Sequence, residues 1–310
     1  MVLYATGFNA WNQLRFENPG IEEPDDISSF TNVLNGDIDH VRPFFSYTLI
    51  RLKNGECQTA GMVPKEHQRL RIATEKSHAS FVEASNDAVV VYDGAQTLHQ
   101  YTSIHNLLSG SPSHTFPNLP NLTQLVAYAT GFAALSSTGQ VWTWGDERYA
   151  ACLGRDVTDE SPAETPGLVT DLADLPTGPI TKLAAGGYIL AALTQGNDLY
   201  CWGHAGRSPV VADLFSGSED VDTDRPSPVE IAGGKDIADI AVGDAHLVAL
   251  TSDGEVYVIG DNGNGQLGLP GVTSVKAWTK VSLDISNGAK QSITGVVAGP
   301  RNSFLIASGK

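Results

Sequence analysis

The sequence is short of basic residues, of cysteine and of long apolar runs, and each shortage removes a class of function. It has 19 Lys and Arg against 35 Asp and Glu, a net charge of −16. A chain this acidic repels the phosphate backbone unless it carries a local basic patch. The densest basic stretch, Lys65 to Lys76, is interrupted by Glu66 and Glu75. No nucleic-acid partner is expected, and a basic protein partner is favoured. The three cysteines, Cys57, Cys152 and Cys201, are distant from one another and include no C-x-x-C pair, which argues against a disulfide framework or a zinc site. No run approaches the roughly 20 apolar residues of a membrane helix. The opening Met-Val-Leu-Tyr-Ala-Thr-Gly has neither the basic n-region nor the apolar core of a signal peptide. A cytoplasmic or nuclear protein with no membrane partner is expected.

Catalytic and cofactor motifs are missing as well. There is no G-x-S-x-G elbow, no H-E-x-x-H and no G-x-x-x-x-G-K-[ST] phosphate loop. Gly263 to Gly268 spells G-x-G-x-x-G, but Pro270 and Gly271 follow at once, where a dinucleotide site needs a helix. Asp220, Asp222 and Asp224 alternate as in a calcium loop, yet Arg225 and Ile231 stand where that loop needs Gly and Glu. The acidic stretch 216–225 reads instead as an exposed insertion between repeats, a place for a partner contact. No enzyme activity, cofactor or metal is expected.

What the sequence has in quantity is glycine, 32 residues, and proline, 16, spread along the chain as in a fold with frequent turns. The best-formed unit starts at Ile237: three short apolar or alternating runs, with Asp253-Gly254 between the last two and Asn262-Gly-Asn-Gly-Gln-Leu267 after them. Asp-Gly suits a two-residue hairpin turn with φ > 0 at both central positions. The unit recurs from Ile180 and from Leu122, and more faintly at Phe81 to Tyr101 and Val41 to Gly61. The turn positions are Gly55, Gly94, Gly139, Asn197, Gly254 and Gly309. A period of about 40 to 55 residues with room for four strands per unit fits a β-propeller. Helical solenoids would show 3.6-residue periodicity, and none is present.

The two ends of the chain complement each other. Ile293 to Lys310 supplies the first two strands of a unit, and Val2 to Gly7 supplies its third. The loop Asn9-Ala-Trp-Asn-Gln-Leu14 then matches Asn262 to Leu267 in spacing. One blade made by both termini closes a ring and leaves no free sheet edge. The expectation is an all-β, closed β-propeller of four-stranded blades in one domain over residues 1–310, six repeats counted and seven left open, and monomeric.

Gly243-Asp-Ala-His246, Asp253-Gly254, Val256-Tyr-Val-Ile-Gly-Asp-Asn262, Gly265-Gln-Leu-Gly268 and the pairs Trp144-Gly145 and Trp202-Gly203 resemble the repeat of the regulator of chromosome condensation family. The resemblance covers nearly the whole chain, strongly after Leu122 and loosely before it. It implies a protein-interaction scaffold without chemistry of its own. A likeness to compact fungal-type members implies an accessory role, with a small metal-binding factor, in diphthamide synthesis or tRNA wobble-uridine modification. The alternative that the resemblance carries is guanine nucleotide exchange on Ran or another small GTPase.

Trp142, Trp144 and Trp202 are expected in the blade cores, with Cys201 packed and His246 structural. Binding is expected from the loops that would line one rim: Phe8 and Trp11; Asp146, Arg148 and Tyr149; Arg207; Asp261 and Asn262; and Arg301. Trp, Tyr and Arg are the types enriched at binding hot spots.

Overall fold

The hairpin between the second and third strands of each repeat sets the local geometry. In the computed structural model, which describes residues 1–16, 23–74, 80–94, 96–216, 221–283 and 291–309, Gly254 N–H donates to the Thr251 carbonyl at 2.9 Å and Thr251 N–H to the Glu255 carbonyl at 2.9 Å. The same two bonds join Leu52, Gly55 and Glu56, then Ser136, Gly139 and Gln140, then Thr194, Asn197 and Asp198. Only the last loop residue is left-handed, Gly254 at φ +87° and Asn197 at +70°. The loop therefore has three residues, a type I turn closed by a left-handed one, not the two-residue turn that Asp253-Gly254 suggests. A hydroxyl before the turn supports the longer loop in three of these four hairpins, while Leu52 closes the same loop without one. Thr251, Thr194 and Ser136 each accept, at 3.0 Å, the N–H four residues on, a local bond that holds the longer loop.

The described residues form six antiparallel sheets in two compact units. One unit comprises Met1–Val63, Ala212–Ser216 and Glu230–Lys310. Its first blade has three strands, Ile38–Pro43, Tyr47–Leu52 and Cys57–Gly61. Its second has four: Ile237–Val242, His246–Thr251, Val256–Asp261 and Ser274–Lys280. The third is built from both ends of the chain, Gln291–Ala298, Asn302–Gly309, Val2–Gly7 and Ile27–Asn35, side by side in that order. Leu3 lies opposite Ile306 and Ala5 opposite Phe304, which is the pairing the sequence leads one to expect. Phe304 packs into one core with Leu3, Ala5 and Ile50, and Leu305 into another with Val248 and Val258. Both faces of a middle strand are thus buried, which is why these strands read as unbroken apolar runs.

The other unit comprises Pro64–Val211 and Gly217–Val229 and holds three four-stranded blades. Their strands are Ser80–Glu83, Val89–Tyr92, Leu98–Tyr101 and His114–Phe116; Leu122–Tyr128, Gly131–Ser136, Val141–Gly145 and Gly167–Leu168; and Ile180–Gly186, Ile189–Thr194, Leu199–Gly203 and Ser227–Val229. Trp144 and Trp202 are fully buried, as expected, and Trp142 is half-buried. The Trp202 indole N–H donates to the Cys152 carbonyl at 3.1 Å, and that of Trp144 to the Gln100 amide oxygen at 2.9 Å. Gln124 ties two of the blades, exchanging bonds of 2.6 and 2.8 Å with the Leu183 backbone.

Arg155 is a buried brace. Its guanidinium donates to the carbonyls of Thr143, Ser161, Pro162 and Thr165 and to the Ser161 hydroxyl, and burial lowers its pKa. Six consecutive blades of antiparallel strands are a β-propeller, and the blade count is six.

Candidate functional site

One hydrogen bond, repeated from blade to blade, decides which residues share an edge. In five of the six blades the N–H that follows a glycine at the end of the third strand donates to a carbonyl in the turn between the first and second strands. It runs from Phe8 to Arg301 at 2.8 Å, Met62 to Ser46 at 2.8 Å, Asp146 to Thr130 at 3.1 Å, His204 to Tyr188 at 3.0 Å and Asp261 to Ala245 at 2.8 Å. The residue before each donor is a glycine because the turn leaves no room for a side chain. A Cβ on Gly203, at φ +153°, would lie 2.1 Å from the Tyr188 carbonyl oxygen, and one on Gly7, at +111°, 2.5 Å from that of Arg301. The glycine of the Trp-Gly pairs is thus the hinge that brings two loops of a blade together.

In the unit containing Pro64–Val211 the loops converge on Tyr149. Asp146 caps the short 3-10 turn Glu147–Leu153, accepting the Arg148 N–H, and also accepts the Arg148 guanidinium at 2.6 Å. Those side-chain hydrogen bonds hold the Asp146 carboxyl below its ordinary range. Arg148 and Arg207 lie over the Tyr149 ring, at 5.9 and 5.6 Å from its centre. The Tyr188 and His204 rings stand 5.0 and 5.7 Å from it. Four of the expected residues, Asp146, Arg148, Tyr149 and Arg207, therefore form one surface. Tyr188 completes it and was missed. Its signal was available, since it occupies the repeat position of Arg301.

In the other unit Phe8 stacks on Phe45 at 5.4 Å, and the Arg301 guanidinium lies 5.9 Å from the centre of the Phe45 ring. Trp11 sits in the next turn of the same loop. Its neighbourhood is set by a device that occurs twice. The Asn9 side-chain oxygen accepts the Leu14 N–H at 2.9 Å, and Gln13 accepts the Trp11 N–H at 2.9 Å. Asn262 does the same for Leu267 at 2.8 Å, and Gln266 for Asn264 at 2.9 Å.

Asn262 is for that reason corrected from a rim contact to an internal brace. It is buried, and its amide N–H groups are spent on the carbonyls of Leu269 and Val272. Asp261 beside it is exposed and accepts the Gln266 amide at 2.6 Å. In the acidic insertion, residues 217–220, Asp220 among them, lie outside the described residues, as does Lys310. Arg225 anchors the far end to Asp156 and Asp171.

The buried thiols and the imidazole of His246 are held neutral. Burial pushes the Cys152 thiol up to about 12 and raises Cys201 further, and it lowers His246 to about 4. Thiols so protonated are poor nucleophiles. Among the described residues no group of three His, Cys, Asp or Glu could hold a metal ion, and no helix is long and apolar enough to cross a membrane. What the surfaces offer is aromatic rings and guanidinium groups, the chemistry of recognition.

Comparison with known proteins places these blades. The description "Regulator of chromosome condensation (RCC1) repeat" matches at residues 237–266 and again at 253–306. The human E3 ubiquitin-protein ligase HERC2 is 33% identical over 176 residues, 56% of this chain and 3% of that protein. The mitochondrial RCC1 domain-containing protein RUG3 of Arabidopsis thaliana is 30% identical over 194 residues, 61% of this chain and 40% of the relative. The mouse regulator of chromosome condensation is 31% identical over 152 residues, 49% and 34%. The chain thus spans well under half the length of these relatives. Prp20p from Saccharomyces cerevisiae, described for its binding to Gsp1p and histones, superposes with a TM-score of 0.72 at 13% identity, covering 100% of this chain and 92% of that one. Human WBSCR16 gives 0.66 at 14% identity, covering 99% and 98%. At such identities the two superpositions establish the shared fold.

Proposed function

Because the chain is a β-propeller of the regulator of chromosome condensation repeat family, we propose that it is a non-enzymatic scaffold that binds a protein partner through its blade-end loops. The observation that carries this reading is the convergence of Arg148, Arg207, Tyr188 and His204 on Tyr149. Binding energy concentrates in clustered aromatic and arginine side chains held by a rigid support. Here the support is the pair of blades beneath. The ligase activity of HERC2 does not transfer on a match to 3% of its length.

A second reading is guanine nucleotide exchange on Ran or another small GTPase. The likeness to Prp20p, which binds Gsp1p, supports it. The finer role, an accessory factor with a small metal-binding partner in diphthamide synthesis or tRNA wobble-uridine modification, rests on resemblance to compact fungal members. A cytoplasmic or nuclear setting goes with either.

The deciding experiment is affinity capture from cell extract with the wild-type chain and the Tyr149→Ala and Arg207→Ala variants, read by mass spectrometry. A partner held by wild type and lost by both variants supports the scaffold. Release of labelled GDP from a captured GTPase, accelerated by catalytic amounts of the chain, would replace the scaffold with exchange. Capture that neither variant changes would remove the Tyr149 surface from the reading.

A further inference from the structure

Among the described residues four large hydrophobic side chains stand exposed, and three of them are neighbours: Trp11 at 41%, Phe45 at 49% and Met62 at 53%. Their backbones are fastened together. The Gln13 side chain accepts the Trp11 N–H at 2.9 Å and donates to the Phe45 carbonyl at 3.2 Å. Ser46, next to Phe45, accepts the Met62 N–H at 2.8 Å and donates its hydroxyl to the Met62 carbonyl at 2.9 Å. Phe8 stacks on the Phe45 ring. Scattered exposed apolar residues need no explanation, but a contiguous group on braced loops marks an interaction site.

The charge beside the group says what fits it. Phe8 faces Phe45, while the N–H of the next residue, Asn9, donates to the Asp26 carboxylate at 2.9 Å. The other Asp26 oxygen accepts the Asn264 amide at 2.7 Å. Asp25, whose carbonyl accepts the Asn9 side-chain amide at 3.1 Å, and Asp26 are exposed beside this loop, and neither makes an ion pair with a described residue. The cation at the patch, Arg301, is stacked on Phe45. An apolar group bordered by unpaired carboxylates attracts cations flanking an apolar anchor. It disfavours a second copy of a chain with net charge −16.

We infer that Trp11, Phe45 and Met62, edged by Asp25 and Asp26, form a second docking surface for a basic protein segment with a large apolar side chain among Lys or Arg residues. The inference rests on the scaffold reading and adds a partner chemistry to it, on residues of the unit that does not contain Tyr149.

The test uses fluorescein-labelled peptides of about 12 residues, with a central Trp, Leu or Ala flanked either by Lys and Arg or by Glu, titrated with the full chain and read by anisotropy. The basic Trp and Leu peptides bind, and their affinity falls as salt rises. The Phe45→Ala, Met62→Ala double variant weakens them at least tenfold, as does Asp25→Asn with Asp26→Asn, while Tyr149→Ala leaves them unchanged. Thermal midpoints equal to wild type show that these exposed substitutions leave the fold intact. Equal binding of the Ala or Glu-flanked peptides would overturn the inference. So would indifference to both double variants, or a dimer in sedimentation that Phe45→Ala dissociates. If a partner from extract is lost by Tyr149→Ala and the peptides still fail to bind, the scaffold stands and this surface falls.

Discussion

His246 and Ser303 meet across two neighbouring blades, the imidazole Nε2 2.9 Å from the Ser303 hydroxyl oxygen. That hydroxyl donates its own proton to the Gln266 carbonyl at 2.7 Å, so Nε2 carries the hydrogen of this pair, and burial, which lowers the imidazole pKa, keeps the ring neutral. Three segments, the start of a middle strand in each blade and the braced loop of one, are thereby joined in the dry interior.

The first prediction follows from that neutrality. Burial lowers the folded-state pKa of His246 from 6.5 to about 4, with Asp261 acting weakly in the opposite sense. A depressed histidine contributes stability that is complete above 6.5 and is lost as pH falls toward 4, because the unfolded chain takes up the proton first. The shift corresponds to about 3 kcal/mol. Urea midpoints should fall between pH 6.5 and 4 in the wild type, and the fall should be shallower in His246→Gln.

Two glycines separate crowding from conformation. Gly203→Ala places a Cβ 2.1 Å from the Tyr188 carbonyl oxygen and should cost about 3 kcal/mol or more, because two backbones must part. Gly254 has open space around its Cβ position and a left-handed φ of +87°. Asn197 holds the same role at +70°, so Gly254→Asn should cost under about 1 kcal/mol. Thermal denaturation of the two variants distinguishes them.

The paired asparagines give a third prediction. Asn9→Ala and Asn262→Ala each leave a leucine N–H, Leu14 or Leu267, unpartnered in the interior. Each should cost about 1–3 kcal/mol. Asn262 should fall at the high end, since two more carbonyls lose their donor. Denaturant titration checks both the cost and the order.

Thiol chemistry supplies the fourth. Cys57 is exposed, whereas Cys152 and Cys201 are buried with raised pKa values. Ellman's reagent at pH 8 should titrate one thiol in the native protein and all three in guanidinium. Fast reaction of a second thiol in the native state would show that a blade core opens readily.

The parts of the fold that were legible are those where one residue type has one physical reason. The left-handed turn positions announced themselves as Gly55, Gly139 and Gly254, and even as Asn197. The apolar middle strands and the shared blade could be read from pattern and spacing. The turn type could not, because Asp253-Gly254 suits a two-residue loop equally well, and the backbone bonds between Thr251 and Glu255 that close the longer one are invisible in a turn dipeptide. The site was half legible. Arg148, Tyr149 and Arg207 stand out by residue type, but Tyr188 and Phe45 lie in the turns between first and second strands, and each turn meets the loop after its own blade's third strand only through the bond that follows Gly203 or Gly61. Asn262 was misplaced for a related reason: an asparagine that braces a loop and one that greets a partner look alike in sequence.

The blade formed by residues 2–7 between 302–309 and 27–35 has a consequence for how the chain is made. Val2–Gly7 leaves the ribosome long before Asn302–Gly309, the strand it pairs with. Throughout that time one edge of an apolar strand is without its partner, the condition under which strands pair with the wrong neighbour. So non-local a pairing is also slow to form. Linking residues 302–309 directly to residues 2–7 while opening the chain at an exposed loop should shorten that wait.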